Sequence, residues 1–198
     1  MRYLLVTVFL LILGGCSLKT TVPAITEYHI TMPSSVFTKG AKCLKNTIKV
    51  ALIQSPNMFK STQMFYADAR LRQYSYNTSS WSESPTSRLQ TIFVSGLSQS
   101  QLFGGVVGYQ SLASYDYLVE LHLYDFMQYL REDGTSYVHM SFDVVIIESD
   151  NRVVVSKFHF NETKESDSVD ATGGVIALNA LVQKSATQAL KWTALQCK

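Results

Sequence analysis

Five apolar side chains, Val138, Met140, Phe142, Val144 and Ile146, take every second position between residues 138 and 146. A period of two places them on one side of a β-strand, with polar side chains on the other. Upstream, Leu118 to Met127 reads as a long strand with Val119, Leu121 and Leu123 on one side. Downstream, Val153 to Phe160 reads as another. Asp133-Gly134, within Arg131 to Thr135, and Ser149-Asp150-Asn151 are turn chemistry at the two junctions. Three strands joined in this way form an antiparallel meander with one greasy face, and that face demands a cover.

Two helices are available to cover it. Ser84-Pro85 supplies a capping hydroxyl before a proline at the first helical position. Leu89, Ile92, Phe93 and Leu97 then recur at helical spacing. From Thr172 to Leu195, the residues Leu178, Leu181, Val182, Ser185, Ala189 and Trp192 make a second amphipathic stripe. Further strands are expected at Glu27 to Met32, at Thr47 to Ile53 with Ile48, Val50 and Leu52 on one side, at Arg70 to Tyr76, and at Phe103 to Tyr109. The expected class is α/β in the α+β sense, a single mostly antiparallel sheet with both helices packed on one face. A length of 198 residues fits one such domain, and 46% hydrophobic content excludes whole-chain disorder. No lysine or arginine run exceeds one residue. Nucleic-acid binding needs a clustered basic footprint and is not expected.

The start of the chain reads as an export address. Met1-Arg2 gives a positive start, Tyr3 to Leu13 is an uncharged and mostly apolar run, and Leu13-Gly14-Gly15-Cys16 follows. The run is shorter than the about 20 apolar residues of a membrane span. Leu-Gly-Gly-Cys is similar to a bacterial lipobox, which implies a signal peptide over residues 1–15 and a diacylglyceryl group, then an N-acyl chain such as palmitate, on Cys16. Ser17, rather than Asp, follows the cysteine, as in lipoproteins forwarded to the outer membrane. Residues 16–26 read as a lipidated tether and 27–198 as the domain. With Cys16 acylated, Cys43 and Cys197 remain as one pair in a compartment where disulfides persist. The alternative is two buried thiols.

No enzyme constellation emerges. Centring the meander turns near 132–133 and 149–150 sets His122 opposite Asp143 and Asp143 opposite Lys157, with Tyr124, Ser141 and His159 in a neighbouring row. A Ser–His–Asp arrangement would need a strained turn and an oxyanion pocket, which a flat sheet face does not provide. Gly104-Gly105-Val106-Val107-Gly108 precedes a strand rather than opening a helix, so bulges or close backbone approach are expected there instead of phosphate binding. No His or Cys sits at zinc-ligand spacing near Cys43 or Cys197. No metal or cofactor is expected beyond the covalent lipid.

A wider resemblance runs through the chain. Phe65-Tyr66-Ala67-Asp68-Ala69-Arg70, then Leu71, Tyr74 and Tyr76, lead into Trp81-Ser82-Glu83-Ser84-Pro85. Leu89, Leu97 and Leu102-Phe103-Gly104-Gly105-Val106-Val107 follow. With the lipobox and the closing helix, this layout resembles the ABC-type transport auxiliary lipoprotein family. The resemblance implies a non-enzymatic outer-membrane lipoprotein facing the periplasm. Its implied partner is a periplasmic MCE (mammalian cell entry) domain protein that bridges the two membranes, with an inner-membrane permease and ATPase engaged indirectly. The family role suits a docking collar, including a homo-oligomeric one. Met58, Phe59, Met64, Phe65 and Tyr66, in a segment without clear strand pattern, together with Trp81, are the candidate partner-binding residues. The same residues would equally plug the open edge of the core, and Trp81 would pack beneath the helix start. The competing reading is a stand-alone envelope lipoprotein that binds a lipid or assembles an envelope complex without an MCE partner.

Overall fold

The computed structural model describes residues 23–33 and 43–196. The lipobox with Cys16, residues 34–42 and Cys197 lie outside them. An eight-stranded mixed sheet carries two helices on one face. One side of it is the meander expected from the alternation, β6 (Tyr117–Leu130), β7 (Ser136–Glu148) and the edge strand β8 (Val154–Glu165), all antiparallel. The other edge of β6 is shared by two smaller groups of strands. Its first half pairs with β2 (Cys43–Val50), which carries β5 (Phe103–Gly108). Its second half pairs with β3 (Gln63–Ala67), which carries β4 (Gln73–Trp81) and then β1 (Thr26–Tyr28).

The longest ladders are antiparallel, but the pairs β1–β4, β2–β5, β2–β6 and β3–β6 are parallel. Alternating side chains reveal a strand's faces and say nothing of its direction, so this mixture was not readable from periodicity.

Helix α1 (Pro85–Ser100) starts as expected, with Ser84 Oγ accepting from the Ser87 N–H at 3.2 Å. Helix α2 (Ala171–Leu195) is capped by Asp170, whose carboxylate accepts from the Gly173 N–H at 3.0 Å. Between helices and meander lies the apolar core. Phe142 is its hub, with ring centroids 5.3 Å from Phe160, 5.8 Å from Phe93 and 6.2 Å from Phe158. Gly96 lets α1 approach α2, because a Cβ there would stand 2.7 Å from Leu190 Cδ1.

Gln128, a buried polar side chain of β6 lying against Gly174 of α2, is held on every side. Gln128 accepts from the Tyr76 hydroxyl at 2.8 Å and donates to Ser136 Oγ at 2.9 Å and to the Ser168 carbonyl at 3.3 Å.

Four expectations need correction. Leu52 is 55% exposed, because β2 ends at Val50 and Ile53 turns inward instead. The segment holding Met58 to Tyr66 is regular, with a short 3-10 turn (Asn57–Lys60) followed by β3. Residues 70–72 form a turn, and β4 begins at Gln73. The β7–β8 turn is centred later than expected, so Asp143 faces His159 rather than Lys157, and Ser141 faces Asn161. A break in register between Ile146 and Ile147 accompanies that shift, with Arg152 in the left-handed region at φ 57°. His122 does lie opposite Asp143.

The sheet has two distinct ends. At the Cys43 end lie the starts of β2, β5 and β6, the β7–β8 turn and the last turn of α2. At the Leu71 end lie the β3–β4 turn, the β6–β7 turn and the Asp170 cap of α2.

Candidate functional site

The face of the meander opposite the helices carries the polar residues that looked chemically suggestive. Asp143 is 4% exposed and is held by three donors. Lys157 Nζ and His159 Nδ1 each lie 2.7 Å from its carboxylate, and the Tyr124 hydroxyl donates at 2.6 Å. Burial pushes the carboxyl up, but these hydrogen bonds outweigh it and hold it at about 2. Four residues back along β7, His139 faces Asp125 Oδ2 at 2.7 Å and Asn161 Oδ1 at 2.6 Å. Burial depresses the imidazole, but two oxygen acceptors favour the doubly protonated ring and leave it raised.

This is a cross-strand electrostatic lattice rather than a hydrolytic site. His139 commits both ring nitrogens elsewhere, and His159 gives Nδ1 to Asp143, so Ser141 has no imidazole base aimed at it. The register correction also breaks the proposed row. A bulge between Leu123 and Asp125 sets Asp125, not Tyr124, opposite Ser141.

The lattice makes a testable contribution to stability. The folded carboxyl of Asp143 titrates below its unfolded value, so its contribution is present above about pH 4 and is lost as pH falls towards 2. Its half-exposed partners are screened by solvent, which leaves on the order of 1–2 kcal/mol at neutral pH. Asp143→Asn is expected to lose that amount at pH 7 and to flatten the stability curve between pH 4 and 2, as measured by urea unfolding. An unchanged acid limb would remove the assigned role.

The candidate partner-binding residues separate into two groups. Phe59, Met64 and Trp81 are 3–4% exposed and belong to the core, so they offer no docking surface in this conformation. Phe59 and Met64 alternate inward from the 3-10 turn and β3, and Trp81 packs on Phe126 with ring centroids 5.7 Å apart. Met58, Phe65 and Tyr66 are half-buried.

The exposed apolar surface lies elsewhere. At the Cys43 end, Val155, Cys43 and Gln196 line one small cavity of about 10 Å³ with Phe103 and Tyr117. At the same end of the sheet Leu44, Val153, Val154 and Leu195 are 54–71% exposed. They belong to the beginning of β2, the β7–β8 turn and the end of α2. Sequence reading passed over them, because these residues look like ordinary strand and helix positions and come from distant parts of the chain.

The order and pairing of these elements can now be compared with known proteins. The family model for the ABC-type transport auxiliary lipoprotein component matches residues 28–189. This chain belongs to that family. Two solved structures share the fold of this auxiliary lipoprotein. Protein XCC0632 from Xanthomonas campestris, of the family DUF330, superposes with a TM-score of 0.74 at 16% identity, covering 86% of this chain and 95% of its own. A crystal structure of an uncharacterized protein superposes with a TM-score of 0.65 at 15% identity, covering 86% of this chain and 99% of its own. At such identities the likeness is one of fold. No curated protein matches this auxiliary lipoprotein. No helix among the described residues is long and apolar enough to cross a membrane.

Proposed function

We propose that this auxiliary lipoprotein is a non-enzymatic, outer-membrane component of an ABC/MCE-type lipid transport system. Acyl chains on Cys16 hold it on the periplasmic face of the outer membrane. The domain docks the periplasmic conduit formed by an MCE-domain protein, and ATP is hydrolysed by a separate inner-membrane subunit. The observation that carries this reading is the family match across residues 28–189. The exposed apolar side chains gathered at the Cys43 end support it, since such residues are the raw material of a contact surface. Within the same reading, Met58 and Phe65 remain candidate partner contacts at the edge of the core, while Tyr66 is taken up by its stack on Tyr74 beside the β3–β4 turn.

The test is to extract the acylated protein in mild detergent and identify its companions. An MCE-domain protein co-purifying supports the assignment. Recovery of the intact, acylated protein without one, from cells that express it, counts against it. A lipid carrier would need an enclosed apolar chamber. Among the described residues, the cavity at Cys43 and the one between Tyr76 and Trp81 hold about 10 Å³ each, roughly a single water, and the larger space of about 270 Å³ beside Leu71 is open to solvent and lined by Asp68, Arg131 and Glu132 as well as tyrosines.

A bridge between Cys43 and Cys197 belongs to the same proposal. Gln196, one residue before Cys197, shares a cavity wall with Cys43, so the bridge would close the end of α2 onto the start of β2. Thiol counting on the denatured, unreduced mature protein should find no free thiol among these two, and two free thiols would refute the bridge.

A further inference from the structure

The path of the chain into β1 bears on how the domain sits over its membrane. β1 is parallel to β4, β4 is antiparallel to β3, and β3 is parallel to β6. β1 therefore runs against β6, and the chain enters it from the Leu71 side. Glu27 pairs with Ser80 and Ser80 with Gln63, while Tyr66, three residues further along β3, pairs with Gln128. Thr26 thus lies roughly level with Phe126. At ~3.3 Å per residue, the Leu71 end of β6 is about 13 Å from Thr26 and its opposite end about 30 Å. Cys43 lies further still, five residues before Ile48, which pairs with Tyr117.

The tether is short. Ten peptide units separate Cys16 from Thr26, a reach of at most about 33–36 Å when fully extended. That length reaches the Leu71 end with slack. Reaching the Cys43 end would take a reversal of direction and almost every ångström available.

The Leu71 end also carries the surface that an interfacial position requires. Leu71 is 83% exposed and sits in the left-handed region at φ 60°, which bulky L side chains avoid. The turn is fixed by Asp68, whose carboxylate accepts from the N–H groups of Arg70 at 3.0 Å and Arg72 at 2.9 Å. Behind it, Tyr66 stacks on Tyr74 at 5.4 Å and Tyr129 on Tyr137 at 5.3 Å. The two pairs occupy opposite faces of the sheet. Tyr76, packed on Tyr66, reaches Gln128 under α2, whereas Tyr129 reaches Asp125 on the outer face. Tyrosines ringing one end of a domain behind an exposed leucine match the amphipathic belt favoured at a membrane–water boundary.

We propose that the Leu71 turn rests in the bilayer surface to which Cys16 is anchored, with the tyrosine pairs at headgroup level and the Cys43 end turned towards the periplasm. This rests on the acylation of Cys16. It adds an orientation and a second, side-chain contact with lipid that the anchor alone does not supply.

The test uses the full acylated protein in vesicles of phosphatidylethanolamine and phosphatidylglycerol, with or without brominated acyl chains. A fluorescent probe is placed at Ala69→Cys in one sample and at Val154→Cys in another, and Arg70→Cys replaces the first if it misfolds. Brominated lipid should quench the probe at 69 at least threefold more than the probe at 154. Leu71→Gly, which suits the left-handed backbone, should abolish most of that quenching while preserving the circular dichroism spectrum. Equal or stronger quenching at 154, or none at 69, overturns the orientation. Mass measurement of the acylated N-terminal peptide keeps the two readings apart. Acyl chains present without quenching at 69 refute the orientation alone, and acyl chains absent from Cys16 refute the anchor together with it.

Discussion

Phe142→Ala lowers the unfolding free energy by about 3–5 kcal/mol and the melting temperature by roughly 10 °C or more. Phe142 is 2% exposed at the centre of the middle meander strand. Its ring meets Phe93 from α1 and both Phe158 and Phe160 from β8. Removing it therefore opens a cavity where the helical layer meets the sheet, and the hydrogen-bonded ladders on both sides of β7 prevent collapse into it. Chemical denaturation of the purified mature protein measures this directly. A loss under about 1 kcal/mol would place the core elsewhere.

The second large effect belongs to a glycine. A Cβ on Gly104 would stand 2.2 Å from the Leu44 carbonyl oxygen and 3.1 Å from its carbon. Backbone cannot step aside as a side chain can, so Gly104→Ala must prise β5 from β2. We expect a loss above about 2 kcal/mol, within the overpacking range or beyond it. Its neighbours supply the controls. At Gly105 the nearest atom is Thr47 Oγ1 at 3.1 Å, and at Gly108 nothing lies within 4 Å. Gly105→Ala should therefore cost less, and Gly108→Ala should be near neutral or slightly stabilising through the unfolded chain. Denaturation midpoints in the order Gly108, Gly105, Gly104, highest first, support the close-approach explanation of the glycine run. Equal losses at all three would contradict it.

These two sites show what the sequence made legible. The meander, both helices and the Ser84 cap were readable because each depends on local signals: a period of two, a period near 3.6, and Ser84 or a turn dipeptide at the boundary; the Asp170 cap of α2 was not singled out. Close backbone approach at the glycine run was readable too, since glycines inside a strand have few other uses. Three things were not. Strand direction leaves no trace in alternation, so the parallel pairings of β2, β3 and β5 were invisible. The β7–β8 register depends on where the turn is centred and on a single-residue irregularity near Ile147, which together moved Asp143 two residues, from Lys157 to His159. Surface patches are assembled from distant segments. Leu44, Val154 and Leu195 come to the same end of the sheet only after folding, and Tyr74 and Tyr137 to the opposite end. The candidates chosen from local richness in Met and aromatics were drawn partly into the core, because in a single domain the same side chains serve both purposes.

The central claim is that the Cys43 end docks a periplasmic lipid conduit while the anchor holds the opposite end at the outer membrane. The most direct measurement places a photoreactive side chain at Val154 in the full-length protein, irradiates living cells, and identifies the adduct by mass spectrometry. The account predicts one dominant adduct, carrying an MCE domain, and no such adduct from a photoreactive side chain at Leu71. An adduct with the MCE-domain protein from Leu71 but not from Val154, or adducts only with envelope proteins lacking that domain, would contradict it.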